Sequence, residues 1–213
     1  MTTLTELRER IYRVIADPSA SQFSSDLVDD GIRAALEAVL PWVFKKSVET
    51  FDGDGVEASY DLPEDCYRVV AVFDESSGTY IPQNTMSANT SPGENIVSNQ
   101  DWMEYPHGEI SFANPIEDGK TITVHYGAIW EAPVDDDDDI EAPTWLHRAL
   151  VYYAASYALL EKASSSSNIR QWNVQIDSGT PIMNPMRDMS TYFLERFRIE
   201  MERVPAVAKG TYG

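Results

Sequence analysis

The period of the hydrophobic residues changes twice along the chain, from helical to two and back to helical, and this restricts the fold more than any other feature. The first helical stretch opens on Thr3-Leu4-Thr5-Glu6, where the Thr3 hydroxyl and the Glu6 carboxylate can satisfy each other's free backbone amides. Leu7, Ile11, Val14 and Ile15 follow on one face, and Asp17-Pro18 stops the helix. Ser24 or Ser25 caps a second helix bearing Leu27, Val28, Ile32, Ala35, Leu36, Val39 and Leu40. From Ser47 to Trp130 short apolar runs alternate between Gly, Pro, Asn and Asp, which predicts strands. Asp52-Gly53-Asp54-Gly55 predicts a hairpin turn between Val48–Phe51 and Val56–Tyr60, because Gly supplies the positive φ such turns need. Further strands are expected at Tyr67–Phe73, Glu109–Phe112 and Thr121–Tyr126, and a long surface loop at Gln83–Asp101.

Helical spacing returns over Thr144–Ala163, with Trp145, Leu146, Leu150, Tyr153, Ala154, Tyr157 and Leu160 on the face expected to be buried. Ser164–Ser167 reads as its flexible end, and Val174 and Ile176 as flanking a short extended piece. Asn184-Pro185 starts the last helix, with Met189, Phe193, Phe197 and Met201 inward and Val204-Pro205 closing it. Helices gathered at both ends of the chain argue α+β: a bundle of about four helices, with an antiparallel β-sheet or small β-sandwich inserted between the second and third. The expected division is one domain, with 1–46 and 141–204 as the bundle, 47–130 as the β insertion and 205–213 as a flexible tail.

A chain of 213 residues buries roughly 70% of the surface its unfolded form exposes, so it needs no disulfide or metal to fold. The single Cys66 reads as a half-buried structural thiol. Its net charge of −19, from 35 acidic against 16 basic residues, opposes tight binding to phosphate backbones or anionic membranes. There is no apolar run of about 18 residues and no basic stretch leading into one, so no signal peptide and a cytosolic setting are expected.

Catalytic and metal patterns are weak. His107, His125 and His147 are far apart, with no zinc-ligand spacing; His125 reads as outward or packed and His147 as facing solvent. Asp135–Asp139 reads as a solvated loop rather than a calcium site, since consecutive like charges repel. Asp177-Ser178-Gly179 superficially matches the turn of an aspartic-protease dyad but stands alone, and an ordinary Asx turn accounts for it. No phosphate loop, nucleophile elbow or Cys-His arrangement is present, so neither catalysis nor a cofactor is expected. Of the five tryptophans, Trp102 and Trp172 lie in polar, irregular stretches and read as interface residues.

Four segments in order carry a resemblance: helices at Leu4–Ala16 and Phe23–Phe44; Tyr60-Asp61-Leu62-Pro63-Glu64-Asp65-Cys66-Tyr67-Arg68-Val69; Ile110-Ser111-Phe112-Ala113-Asn114-Pro115 with Gly119–Tyr126 behind it; and Ile140-Glu141-Ala142-Pro143-Thr144-Trp145 leading into Ala149–Ala154. Together they resemble the head-tail adaptor (head-completion or connector) proteins of tailed bacteriophages. The resemblance implies a non-catalytic virion protein of the neck, a ring that is commonly dodecameric, docked beneath the portal and continuing the DNA channel. It implies the portal and a tail stopper, tail-tube or nozzle protein as partners, DNA only in passage, and no membrane. It also implies two paired strands around the proline turn at Pro115, and a C-terminal segment that orders on the portal, which assigns Val204, Ala206, Val207, Lys209 and Tyr212 to partner docking. Asp135, Asp136, Asp137, Asp138 and Asp139 are then candidates for an acidic lining that repels DNA over a Debye length of about 8 Å. The alternative from another class is a carbohydrate- or protein-binding β module using exposed aromatics of the 83–105 loop.

Overall fold

The computed structural model describes residues 2–83, 101–105, 108–177 and 184–204, the side chains of 105 and 166–177 excepted. In chain order these form α1 (Leu4–Val14), α2 (Ser25–Val39), β1 (Lys45–Asp52), β2 (Ser59–Asp61), β3 (Cys66–Asp74), β4 (Thr79–Ile81), β5 (Trp102–Tyr105), β6 (Glu109–Phe112), β7 (Thr121–Ala128), a 3-10 turn (Thr144–Leu146), α3 (His147–Asp177) and α4 (Pro185–Glu202). The class is α+β, with antiparallel sheets throughout the described residues. The chain divides into a helical unit, Met1–Val43 with Trp130–Gly213, and a β unit, Phe44–Ile129. Among the described residues no helix is long and apolar enough to cross a membrane.

In the helical unit the three caps form as the sequence predicts. Thr3 accepts from the Glu6 amide at 3.3 Å, Ser24 from that of Leu27 at 3.3 Å, and Asn184 from that of Met186 at 3.1 Å with Pro185 behind it. Each such cap contributes about 1 kcal/mol by satisfying an amide the helix leaves open. Between α1 and α2 the buried Asp17 carboxylate accepts from the amides of Ser21, Gln22 and Phe23, which fixes the turn. Helix α3 packs against α1, α2 and α4, so apolar residues are needed on most of its circumference. Its small residues set close crossings. Ala154 lies where a Cβ on Gly31 of α2 would sit 3.0 Å from its carbonyl oxygen. Ser156 and Ser190 of α4 each donate to the other's carbonyl, at 2.8 and 2.9 Å, so no hydroxyl is left unpaired in the contact.

Several expectations fail in this unit. The helix does not end at Ser164–Ser167, nor is Val174–Ile176 extended: α3 continues to Asp177. A serine costs a helix only about 0.5 kcal/mol, and no Gly or Pro interrupts the chain before Gly179. Trp145, Leu160 and Met189, placed inward by periodicity, are exposed. Trp145 belongs to the 3-10 turn that precedes α3, so the helical period read through it from Thr144 does not fix the way it faces.

The β unit holds a four-stranded sheet in the order β1-β7-β3-β4 and a three-stranded sheet in the order β2-β6-β5. Val69, Val72, Ile122 and Val124 of the first form one core with Tyr60, Trp102, Ile110 and Phe112 of the second. The expected hairpin across Asp52–Gly55 is absent among the described pairings: β1 pairs along its whole length with β7, Lys45 opposite Ala128 and Asp52 opposite Thr121. The Gly-rich stretch instead binds residues 116–120, through Gly53 N to Lys120 O at 2.7 Å and Gly55 N to Ile116 O at 2.8 Å. Gly53 is there because a Cβ would meet backbone oxygens. The strands on either side of Pro115 do not pair with each other either, since β6 joins β2 and β5 while β7 joins β1 and β3. Trp102–Tyr105 is a strand rather than irregular chain.

Candidate functional site

The acidic run is a built turn, not a freely solvated loop. Asp138 Oδ2 accepts from the amides of Val134 and Asp135, both at 2.9 Å, and these bonds hold its carboxyl below the ordinary carboxylate range. The turn docks on the start of α1: Leu4 N donates to Asp138 O at 3.0 Å, Thr5 N and its hydroxyl to Asp136 O, and Ile140 N to Thr2 O. Two of the open amides of α1 are thus satisfied, and negative charge lies at the positive end of the helix dipole. Arg8 secures the arrangement. Its guanidinium grips Asp29 of α2 through two bonds of 2.6 and 2.7 Å and also donates to the Asp136 carboxylate. The hydrogen bonds to Asp29 foremost, then those to Asp136, raise the Arg8 pKa against the opposing effect of burial. Asp135, Asp137 and Asp139 stay exposed, and Val134 beside them is 81% exposed.

A second surface lies on the helical unit where α3 and α4 run side by side. Tyr152 stacks on Phe193 with centroids 6.1 Å apart, and Tyr192 meets the same Phe193 edge-on at 5.3 Å. Arg148 lies 5.6 Å from the Tyr152 ring and donates to its hydroxyl at 3.1 Å, while Arg196 lies 5.6 Å from the Tyr192 ring. Glu200 is 3.5 Å from Arg148. Trp145 and Tyr192 are 52% and 55% exposed, and Met189 is exposed as well. Reading Trp145 and Met189 as core residues hides this patch. The signal was present as Trp145-Arg148-Tyr152 and Met189-Tyr192-Arg196, each an i, i+3, i+7 stripe mixing aromatic, thioether and guanidinium groups.

The other residues singled out by sequence are dispersed. Trp102 is 2% exposed in the core of the β unit, its indole donating to Ile81 O at 3.0 Å, because β5 pairs with β6 and places it opposite Phe112. It offers no exposed ring. Trp172 lies on α3 with its side chain outside the described residues, as are Ala206, Val207, Lys209, Tyr212 and most of the 83–105 loop. Val204 is buried in the core of the helical unit. Asp177 is the last residue of α3, and Ser178 and Gly179 lie outside the described residues.

Among the described residues no group of three or more His, Cys, Asp or Glu side chains could hold a metal ion. Burial, with Glu104 and Asp65 adding to it, pushes the Cys66 thiol up to about 12, so it is not a thiolate at neutral pH. His147 does not face solvent. It is buried at the start of α3, where its Nε2 donates to Ala142 O at 2.8 Å and its Nδ1 has no partner. Burial lowers its pKa, and Arg10 and the N-terminal amine push the same way against the bond to Ala142. The folded state therefore prefers the neutral ring, so its contribution to stability is present above the unfolded value of about 6.5 and lost as pH falls through the lower folded value. Urea unfolding at pH 7.5 and 5.5 should show a larger acid loss in the wild type than in His147→Gln; equal losses would place the acid sensitivity elsewhere.

No curated protein matches the sequence. The family described as SU10 adaptor protein matches residues 2–193, a span that takes in both units, the acidic turn and the first half of α4. The chain belongs to the SU10 adaptor protein family, a family of bacteriophage head-tail adaptors.

Proposed function

We propose that this structural adaptor docks as a ring, commonly of twelve copies, beneath the portal of a tailed phage, joins it to a tail stopper, tail-tube or nozzle protein, and continues the DNA channel. The observation that carries this reading is the family match across residues 2–193. Its action is binding and not catalysis, and its place is the virion neck. In this reading 1–46 and 141–204 are one helical bundle into which 47–130 is inserted.

The charge of −19 supports passage of DNA without retention, since phosphates find few cations and are repelled within about 8 Å. Asp135, Asp137 and Asp139 are exposed on a turn that α1 holds in place, which leaves them open to contact from outside the subunit. The alternative of a glycan- or protein-binding module loses its anchor, because the Trp102 ring is interior.

The reading is tested by capture of the portal protein from a lysate of infected cells on the tagged chain, with mass spectrometry as readout. Recovery of the portal supports it, and recovery of no virion component from a lysate that contains portal overturns it. Docking through residues 205–213 predicts that deleting them lowers portal recovery at least about tenfold while leaving the thermal midpoint unchanged. The deletion begins at Pro205 because Val204 belongs to the core. Undiminished recovery would move the docking surface elsewhere.

A further inference from the structure

The charge of the chain is unevenly distributed. Residues 147–213 hold half of the 16 basic residues but six of the 35 acids, so this segment is net +2 while residues 1–146 carry −21. Two copies of a molecule at −19 repel each other on average. They attract only where the basic, aromatic surface of one meets an acidic surface of the other. The structure offers both surfaces on the helical unit.

We propose that the Trp145-Arg148-Tyr152 and Met189-Tyr192-Arg196 stripes are the docking face for the acidic turn, Val134–Asp139, of a second copy; this deepens the ring reading above and rests on it. The stripes have the composition of a binding hot spot, with Trp145, Arg148, Met189 and Tyr192 exposed, Tyr152 and Arg196 half-buried, and the two tyrosine rings already fixed by their contacts with Phe193. Among the described residues no carboxylate pairs with Arg196. The turn is its complement. Residues 131–141 include seven acids and no base, and Val134, the most exposed large apolar side chain among the described residues, lies among them. An aliphatic side chain next to exposed carboxylates complements an aromatic surface that carries two guanidinium groups, of which Glu200 meets only that of Arg148. The turn is also preorganised, since Asp138 ties the Val134 and Asp135 amides and α1 binds its carbonyls, so little order is lost on docking. Because the two faces differ, the contact is heterologous, and its repetition closes into a ring or runs on as a filament.

Sedimentation velocity of the full chain over a range of concentration and salt tests this. The wild type should self-associate, more weakly as salt rises. Tyr192→Ala with Arg196→Ala removes the patch, and Asp135→Lys with Asp137→Lys removes the turn; each should raise the dissociation constant at least about 30-fold. Each variant keeps the face the other lacks, so an equimolar mixture should form a 1:1 pair and nothing larger. This pairing also shows that both variants are folded. The proposal is overturned if either variant associates like the wild type, if the mixture does not pair, or if the wild type remains monomeric at the highest concentration. Portal capture by a monomeric wild type would leave the adaptor reading standing, so the two failures are distinguishable.

Discussion

Replacing Gly53 with alanine is expected to destabilise the β unit by about 3 kcal/mol or more. A Cβ at this position would lie 2.7 Å from the Ile116 carbonyl oxygen, 2.5 Å from Ile116 Cγ2 and closer still to the Glu117 carbonyl oxygen. Two of the three are backbone atoms and cannot move without breaking the bonds that the same stretch makes with Lys120 and Gly119. The measurement is urea unfolding together with hydrogen exchange at the β1 and β7 amides, which should lose protection. Gly78→Ala is the control. Gly78 has φ of 69° but nothing within 4 Å of its added Cβ, so only the conformational cost of about 1 kcal/mol applies. If the two variants cost the same, the contact at residues 116–117 is not what excludes a side chain from position 53.

Gly31→Leu is expected to cost the helical unit about 3 kcal/mol by forcing α2 away from α3. Alanine at the same place should be close to neutral. It gains about 1 kcal/mol in helix propensity over glycine, but its Cβ would press on the Ala154 carbonyl at 3.0 Å and the Ala154 methyl at 3.4 Å. The pair of variants thus separates backbone entropy from packing. Thermal unfolding followed by circular dichroism at 222 nm reads both, and a leucine variant as stable as the wild type would show that the crossing tolerates separation.

What the sequence made legible was local. Thr3, Ser24 and Asn184-Pro185 carry their caps in their own side chains, Tyr67–Phe73 carries its strand in a strongly apolar run and Thr121–Tyr126 in its alternation. Partner choice was not legible, because it depends on contacts distant in sequence. Asp52–Gly55 has the residues of a hairpin turn, yet Gly53 is used for close approach to residues 116–117, and Gly55, with φ of 75°, donates its amide to Ile116. The acidic run likewise reads as solvated because its ligands, the first amides of α1, lie about 130 residues away in sequence. The patch on α3 and α4 was hidden by the assumption that aromatic residues at helical spacing are core. Periodicity places Phe193 and Phe197 correctly and fails for Met189 and Trp145.

The pairing of Lys45 with Ala128 bears on how the chain folds as it is synthesised. The helical unit needs residues from both ends of the sequence, so α1 and α2 leave the ribosome long before α3 and α4 exist to cover their apolar faces. The β unit is contiguous and can complete its own core first. Once it has, its first and last strands lie side by side and its two ends emerge together. Closing an unstructured loop of that length would cost about 4 kcal/mol in chain entropy. A folded β unit removes most of that cost before α3 is made, and so shortens the time for which the faces of α1 and α2 are exposed to aggregation.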